Sequence, residues 1–150
     1  CLTLGFVNDF DGKTLCDVGA GAGFPSIPLK IAFPNLKVTA LDSMNKRMEF
    51  VKLVVQELGL EGFEIVVARA EDYGRKNREK YDYVTARAVS RLNVLMELSS
   101  PMVKVGGKFI ALKGPLAKEE AKRQKELQKA EAEALKEQES SEEANPEEAA

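Results

Sequence analysis

The sequence predicts a doubly wound α/β fold built on a mostly parallel sheet. Short apolar runs alternate with segments of helical periodicity along the first 113 residues, and strands separated by helices pair in parallel through right-handed crossovers. A glycine-rich segment, GAGAGFP at residues 19–25, follows the first apolar run, and Asp42 ends the second. Ligands bind such sheets at the carboxyl ends of the strands, where both features lie.

Each predicted strand is a short apolar run bounded by polar or turn-forming residues, and each helix is bounded by residues that start or stop helices. Pro28 stands in the first turn of the first helix, where its missing N–H is tolerated, and Pro34 ends that helix. Gly59 caps the second helix, and Pro101 stops the last. The predicted strands are residues 14–16, 36–41, 63–68, 81–86 and 108–112, with a turn at Gly106-Gly107 before the last of them. The predicted helices are residues 26–33, 45–58 and 91–100, with residues 70–76 as a short polar helix or a loop.

The glycine-rich segment has the composition of a ligand-binding turn between a strand and a helix. Glycine adopts positive φ and lets a ligand approach the main chain, while the following helix presents free N–H groups. A dinucleotide fingerprint needs its third glycine or an alanine at the sixth position. Counted from Gly19, that position holds Phe24, and the third glycine is Gly23. The pattern typical of a bound pyrophosphate is therefore broken.

Asp42 indicates which ligand this turn binds. An acidic residue about 20 positions after the first glycine, at the tip of the second strand, usually hydrogen-bonds ribose hydroxyls. Gly19, Gly21 and Asp42 together predict a ribose-bearing ligand without a required pyrophosphate, and S-adenosylmethionine fits that description. The alternative is a glycine-rich turn without a ligand, in which Asp42 only caps a helix.

Composition excludes several classes of chemistry. The 150 residues are 44% hydrophobic, enough for one core, and they include no histidine and two cysteines. Histidine-based triads, histidine metal sites and a structural zinc site are therefore not expected, and we predict no metal. No apolar run approaches the roughly 18 residues of a membrane span, and no signal peptide opens the chain. We expect a soluble, cytoplasmic protein without a membrane partner.

Charge and composition divide the chain into three parts. Up to Lys113 there are 16 basic and 13 acidic residues, whereas from Gly114 onward there are 6 and 11. A mildly basic domain is compatible with nucleic acid. The predicted parts are a folded core over residues 1–116, an acidic polar helix over 117–139 and a disordered tail over 140–150.

Four segments resemble one known family. They are CDVGAGAGFPSIPLKIAFPNLKVTALDSMNKRMEFV at residues 16–51, RAEDYG at 69–74, YDYVTARAVSRLNVL at 81–95 and FIALKG at 109–114. From about Gly12 to Leu116 the chain resembles the ribosomal RNA small-subunit methyltransferase G family, also called GidB. The resemblance implies a Rossmann-like fold of the class I S-adenosylmethionine-dependent methyltransferase type, here lacking the family's N-terminal helices and last strands.

The resemblance also implies an activity and the residues that carry it. Methyl transfer would run from S-adenosylmethionine to N7 of a guanosine in 16S rRNA, with that RNA or the small ribosomal subunit as partner, and we expect a monomer. The cofactor-binding residues implied by the motifs GAGAGF, RAE and TARAV are Gly19, Phe24, Ala70, Glu71 and Arg87. The implied catalytic or RNA-contacting residues are Arg69, Arg87 and Lys113.

Several of these residues have a structural alternative. Arg87 could form a stabilising ion pair, Glu71 could serve only as a carboxylate at a helix start, and Phe24 could be a core residue. Two other functions also stay open at this point. One is a methyltransferase of the same fold that acts on a small molecule or a protein, and the other is a truncated, inactive adenosyl-binding protein.

Overall fold

The computed structural model describes residues 2–87 and 91–112, together with five single positions between 122 and 133. The chain divides into two compact units, Cys1–Lys113 and Gly114–Ala150. The strands of the first unit are β1 (Thr14–Val18), β2 (Lys37–Asp42), β3 (Phe63–Val67), β4 (Tyr81–Arg87) and β5 (Val103–Leu112). Its helices are α1 (Ser26–Ala32), α2 (Asn45–Glu57), α3 (Ala70–Lys76) and α4 (Leu92–Ser99), with short 3-10 helices at Leu2–Phe6 and Ser100–Met102.

The five strands form one sheet in the order β3-β2-β1-β4-β5, and every pair of neighbours is parallel. This order confirms the predicted doubly wound fold. The chain leaves β1 toward β2 on one side and later returns to β4 on the other, so the order reverses between β1 and β4. Ligands of open α/β sheets bind outside the carboxyl ends of the strands at such a reversal.

Apolar side chains cover both faces of this sheet. On one face, α1 and α2 pack through Leu29, Met48 and Val51. On the other face, α4 packs through Leu95, and Met102 follows it. The central strands β1, β2 and β4 are almost wholly buried, whereas β3 and β5 are only half-buried. Burial on both faces explains why the strands appear in the sequence as continuous apolar runs.

Two segments clarify or correct the sequence-based predictions. Residues 70–76, left open between a helix and a loop, form α3. The turn predicted at Gly106-Gly107 is wrong, because β5 runs through both glycines with an irregular register. Its pairing with β4 passes from Tyr81–Val103 directly to Tyr83–Lys108, so β5 accommodates extra residues in a bulge. A glycine pair suits a tight turn and a bulge equally well, and only the partner strand decides between them.

The acidic helix predicted over residues 117–139 falls largely outside the described residues, and the tail over 140–150 falls wholly outside them. Five positions of the helix are described, and their backbone is helical: Lys122, Glu126, Lys129, Ala130 and Glu133. Lys129 Nζ lies 3.8 Å from Glu133 Oε1, one helical turn away. Across the part of the chain that the structure describes, none of the helices is long and apolar enough to cross a membrane.

Candidate functional site

A cavity of about 510 Å³ lies at the carboxyl ends of the strands, beside the turn that follows β1. Pockets for small molecules and cofactors have volumes in this range. The ends of β1, β2 and β4, the segment between β3 and α3, the starts of α2 and α3, and one residue of α4 supply its walls. The lining residues are Val18, Gly19, Leu41, Asp42, Ser43, Met44, Arg47, Ala68, Arg69, Ala70, Glu71, Arg87 and Leu98.

Most of the site residues predicted from the sequence meet at this cavity. Those that line it are Gly19, Asp42, Arg69, Ala70, Glu71 and Arg87. Gly21 and Phe24 lie outside the lining, and Lys113 lies outside the described residues, so the roles of these three stay predictions. Met44 and Arg47 also line the cavity; the sequence favours a solvated surface over an RNA contact for Arg47 and does not single out Met44 as a ligand-binding residue. Their position directly after Asp42 is the signal that could have identified them.

The glycine-rich turn is held against the end of β2 by hydrogen bonds. The Gly19 N–H donates to the Leu41 carbonyl at 2.7 Å, and the Ala20 N–H donates to the same oxygen at 3.1 Å. Gly21 has a φ of +57°, a left-handed conformation that glycine adopts without steric cost. Its N–H donates to Asp42 Oδ2 at 3.0 Å. Gly21 therefore contributes by fixing the turn to the acidic residue of the cavity.

Asp42 joins the turn after β1 to the turn after β2. Its Oδ1 accepts the Met44 N–H at 2.9 Å, while its Oδ2 accepts the Gly21 N–H and lies 3.8 Å from the Arg47 guanidinium. The residue is 6% exposed and lines the cavity. Each carboxylate oxygen has two lone pairs, so both can accept a further hydrogen bond from a hydroxyl group. Asp42 organises the cavity and keeps acceptor capacity for a ligand.

Charged groups of both signs border the cavity. Three exposed guanidinium groups belong to Arg47, Arg69 and Arg87, and the exposed carboxylate of Glu71 lies in the first turn of α3. Glu71 therefore lies at a helix start, as the structural alternative predicts, and it also lines the cavity. The Arg87 guanidinium carbon lies 5.9 Å from the centroid of the Phe24 ring. Phe24 is 44% exposed, which rules out a core role for this residue.

Asp17 is a buried acid beside the site that the sequence analysis did not single out. It lies in β1, two residues before Gly19, and it is 0% exposed. Its Oδ1 accepts a hydrogen bond from the Thr85 hydroxyl at 3.2 Å, whereas Asp17 Oδ2 and the buried Ser26 hydroxyl have no partner among the described residues. Burial raises the pKa of Asp17 to about 7, and the Thr85 hydroxyl and the Arg87 charge, which both lower the pKa, offset only part of this rise. The feature of the sequence that could have identified Asp17 is an acidic residue inside an otherwise apolar strand.

The raised pKa of Asp17 predicts that stability depends on pH. Between about pH 4 and pH 7, the Asp17 carboxyl is protonated in the folded protein. In the unfolded chain it has already lost this proton, because its pKa there is the ordinary value of 3.8. Stability therefore decreases as pH rises through this window and levels off above it. Asp17→Asn, which stays neutral, should unfold at a temperature at least ~5 °C above that of wild type at pH 8, with the difference vanishing near pH 4.

Thermal unfolding from pH 4 to pH 8 measures this effect. Glu97→Gln is the matched control, because it removes one carboxylate from the exposed surface of α4 and should follow the wild-type profile. An Asp17→Asn profile parallel to that of wild type would show that Asp17 is ionised throughout this range.

The parallel sheet with its cavity at the reversal is the Rossmann-like fold that solved class I S-adenosylmethionine-dependent methyltransferases share. Geranyl diphosphate C-methyltransferase from Streptomyces coelicolor A3(2), solved with Mg²⁺, geranyl diphosphate and S-adenosyl-L-homocysteine, superposes with a TM-score of 0.64. The match covers 73% of this chain and 43% of that one, at 17% sequence identity. A likeness at that identity establishes the fold alone.

The chain belongs to the rRNA small subunit methyltransferase G family, GidB, whose pattern matches residues 1–147. Ribosomal RNA small subunit methyltransferase G of Lactobacillus acidophilus is 62% identical over 112 residues, which are 73% of this chain and 47% of that protein. The protein of the same name from Staphylococcus epidermidis is 59% identical over 117 residues, covering 77% and 49%. The family resemblance predicted from the motifs is confirmed. The chain spans about half the length of these curated relatives.

Proposed function

We propose that this chain binds S-adenosylmethionine and transfers its methyl group to N7 of a guanosine in 16S rRNA. The observation that carries the proposal is the Asp42-lined cavity at the sheet reversal, in a chain of the rRNA small subunit methyltransferase G family. The names of its relatives supply the RNA substrate. A small-ribosomal-subunit substrate would place the reaction in the cytoplasm, and the expected monomer stays a prediction.

The residues at the cavity suit an adenosyl ligand. The free acceptor capacity of Asp42 fits the two hydroxyl groups of a ribose, and Gly19 exposes main chain at the cavity wall. The sulfonium of S-adenosylmethionine supplies an electrophilic methyl group when bound. These features support the cofactor prediction made from the sequence.

The reaction needs no general base, which agrees with the absence of histidine. Guanine N7 carries a lone pair and no proton. The lone pair forms the new bond to the methyl carbon while the bond from that carbon to sulfur breaks, and its electron pair returns to sulfur. The task left to the protein is to align nucleophile, carbon and sulfur, and such alignment can supply a large part of a rate enhancement.

The charges at the cavity suggest roles for its side chains. The guanine ring gains positive charge during transfer, so a carboxylate such as that of Glu71 favours the transition state electrostatically, whereas a cation at N7 opposes it. Arg69, Arg87 and Lys113 therefore suit contacts to phosphate or to guanine O6 better than contacts to N7. Arginine makes paired hydrogen bonds of this kind.

The decisive experiment is transfer of labelled methyl to small-subunit RNA, followed by nucleoside analysis. We expect label in 7-methylguanosine only when RNA is present. Transfer that does not depend on RNA would favour a small-molecule or protein substrate for the same fold. Cofactor binding by calorimetry without any transfer would favour an inactive adenosyl-binding protein.

Asp42→Asn should lower the affinity for S-adenosylmethionine at least ~30-fold, since hydrogen bonds to charged groups contribute about 1.5–3 kcal/mol each. An amide cannot accept the N–H groups of Gly21 and Met44 on two oxygens at once, and its own NH₂ group faces one of these donors. Calorimetry with the isolated cofactor measures the loss.

Asp82→Asn is the matched control for Asp42→Asn. Asp82 also accepts a backbone N–H, that of Thr14 at 2.9 Å, but near the amino ends of β1 and β4. This variant should lose stability and keep the wild-type affinity for the cofactor. Equal affinity losses in the two variants would show that Asp42 acts only through the fold.

A further inference from the structure

The outward face of α2 carries two large apolar side chains that no described part of the chain covers. Phe50 is 52% exposed and Leu53 is 61% exposed. The buried side of the helix is formed by Met48, Val51 and Val55. Because successive residues of a helix are turned by about 100°, Phe50 and Leu53 point almost directly away from that side. The two side chains therefore contribute little to the packing of the sheet.

A charged residue stands at each end of this apolar pair. Lys46 lies one helical turn before Phe50, and Glu57 lies one turn after Leu53, on the same side of the helix. Both charged side chains are exposed, and neither forms an ion pair with a residue that the structure describes. These four residues form a straight row, the α2 stripe. None of the four lines the cavity at the carboxyl ends of the strands.

The spacing of the α2 stripe makes it complementary to a second copy of itself. In a two-fold symmetric interface the same surface meets itself, so each contact occurs twice. With two antiparallel copies of α2 and the axis midway along the stripe, Phe50 faces Leu53 of the partner subunit. Lys46 then faces Glu57 of the partner subunit. A parallel arrangement would instead place each charge against its like, so the charge pattern favours the antiparallel pairing.

We propose that the α2 stripe is the interface of a homodimer with antiparallel α2 helices. The apolar pairs supply the binding, and the two outer ion pairs set the orientation. One pair of helices makes a small interface, so the dimer depends on concentration and has micromolar affinity. The dimer departs from the monomer expected from the sequence, because the exposure of Phe50 and Leu53 is visible only in the structure. The inference does not rest on the proposed function.

Sedimentation equilibrium from low micromolar to submillimolar concentration tests the dimer. Leu53→Glu places a carboxylate against Phe50 of the partner subunit, so the Kd of the dimer should rise at least ~30-fold. Leu53 is exposed in the single chain, so the melting temperature at low concentration should change little. Met96→Glu is the matched control, because it adds the same charge at an exposed apolar residue of α4, on the other face of the sheet. Its Kd should stay within ~2-fold of wild type.

Exchange of the two charges tests the pairing itself. Lys46→Glu and Glu57→Lys each replace both attractive pairs by repulsive ones, so each should raise the Kd at least ~5-fold. The double variant Lys46→Glu/Glu57→Lys restores opposite charges, and its Kd should return to within ~3-fold of wild type. An equimolar mixture of the two single variants also restores them, so the mixed dimer should be tighter than the dimer of either variant alone.

A wild type that stays monomeric up to submillimolar concentration overturns the dimer. A wild-type dimer that Leu53→Glu leaves intact also overturns it, because the interface then lies elsewhere. Charge variants that weaken the dimer without recovery in the double variant overturn the antiparallel pairing. None of these measurements involves methyl transfer, so the proposed function is decided separately by its own assay.

Discussion

Arg87→Lys should reduce methyl transfer to small-subunit RNA at least ~30-fold, because misplacement of a reacting group by about 1 Å can cost ~100-fold. Arg87 ends β4 with an exposed side chain, lines the cavity and lies over the Phe24 ring. Lysine preserves the positive charge but cannot reproduce the paired hydrogen bonds of a guanidinium to phosphate or to guanine O6. The melting temperature should change little, since the packing of β4 depends on buried residues.

Single-turnover methylation with thermal unfolding alongside measures this effect. Arg75→Lys is the matched control, because Arg75 is an exposed arginine in the last turn of α3, outside the cavity lining. Transfer at nearly the wild-type rate by Arg87→Lys would remove Arg87 from the active site. A large fall in melting temperature with a proportionate loss of activity would indicate instead that Arg87 is part of a structural ion pair.

Gly23→Ala should destabilise the fold by about 3 kcal/mol, combining the cost of a left-handed conformation with overpacking. Gly23 is buried with a φ of +89°, and an added Cβ would overlap Ile27 Cδ1 and lie 2.7 Å from Ile27 Cγ1. Ile27 is itself buried in the core between α1 and the sheet, so it has little room to move. Urea unfolding of the variant and of wild type gives the free-energy difference.

Two further variants separate the steric cost from the conformational one. Gly59→Ala has a similar φ of +61° and no atom within 4 Å of the added Cβ, so it should cost only about 1–2 kcal/mol. Ile27→Ala leaves only Cβ, 3.6 Å from the added methyl, which is an ordinary contact. The double variant that combines Gly23→Ala with Ile27→Ala should therefore lose at least about 1 kcal/mol less stability than the summed losses of the two single variants. Additive costs would contradict the predicted overlap with Ile27.

Local patterns in the sequence were sufficient to predict the doubly wound fold. Apolar periodicity and the placement of proline and glycine depend on neighbouring residues, so they give the order of strands and helices correctly. The turn after β1 and the acid at the end of β2 were predicted for the same reason. A parallel sheet then brings Gly19, Asp42 and Arg87 together, because the carboxyl ends of its strands meet at one edge.

Only the tertiary structure decided which atoms meet at that edge. The hydrogen bond from Gly21 to Asp42 joins residues 21 positions apart, and that from Thr85 to Asp17 joins residues 68 positions apart. No local pattern encodes such distances. The burial that raises the pKa of Asp17 and the position of Arg87 over Phe24 likewise depend on how separate strands and turns pack. The sequence by itself determined the fold and the edge where the cavity forms, and long-range packing determined the charge, exposure and orientation of the groups around it.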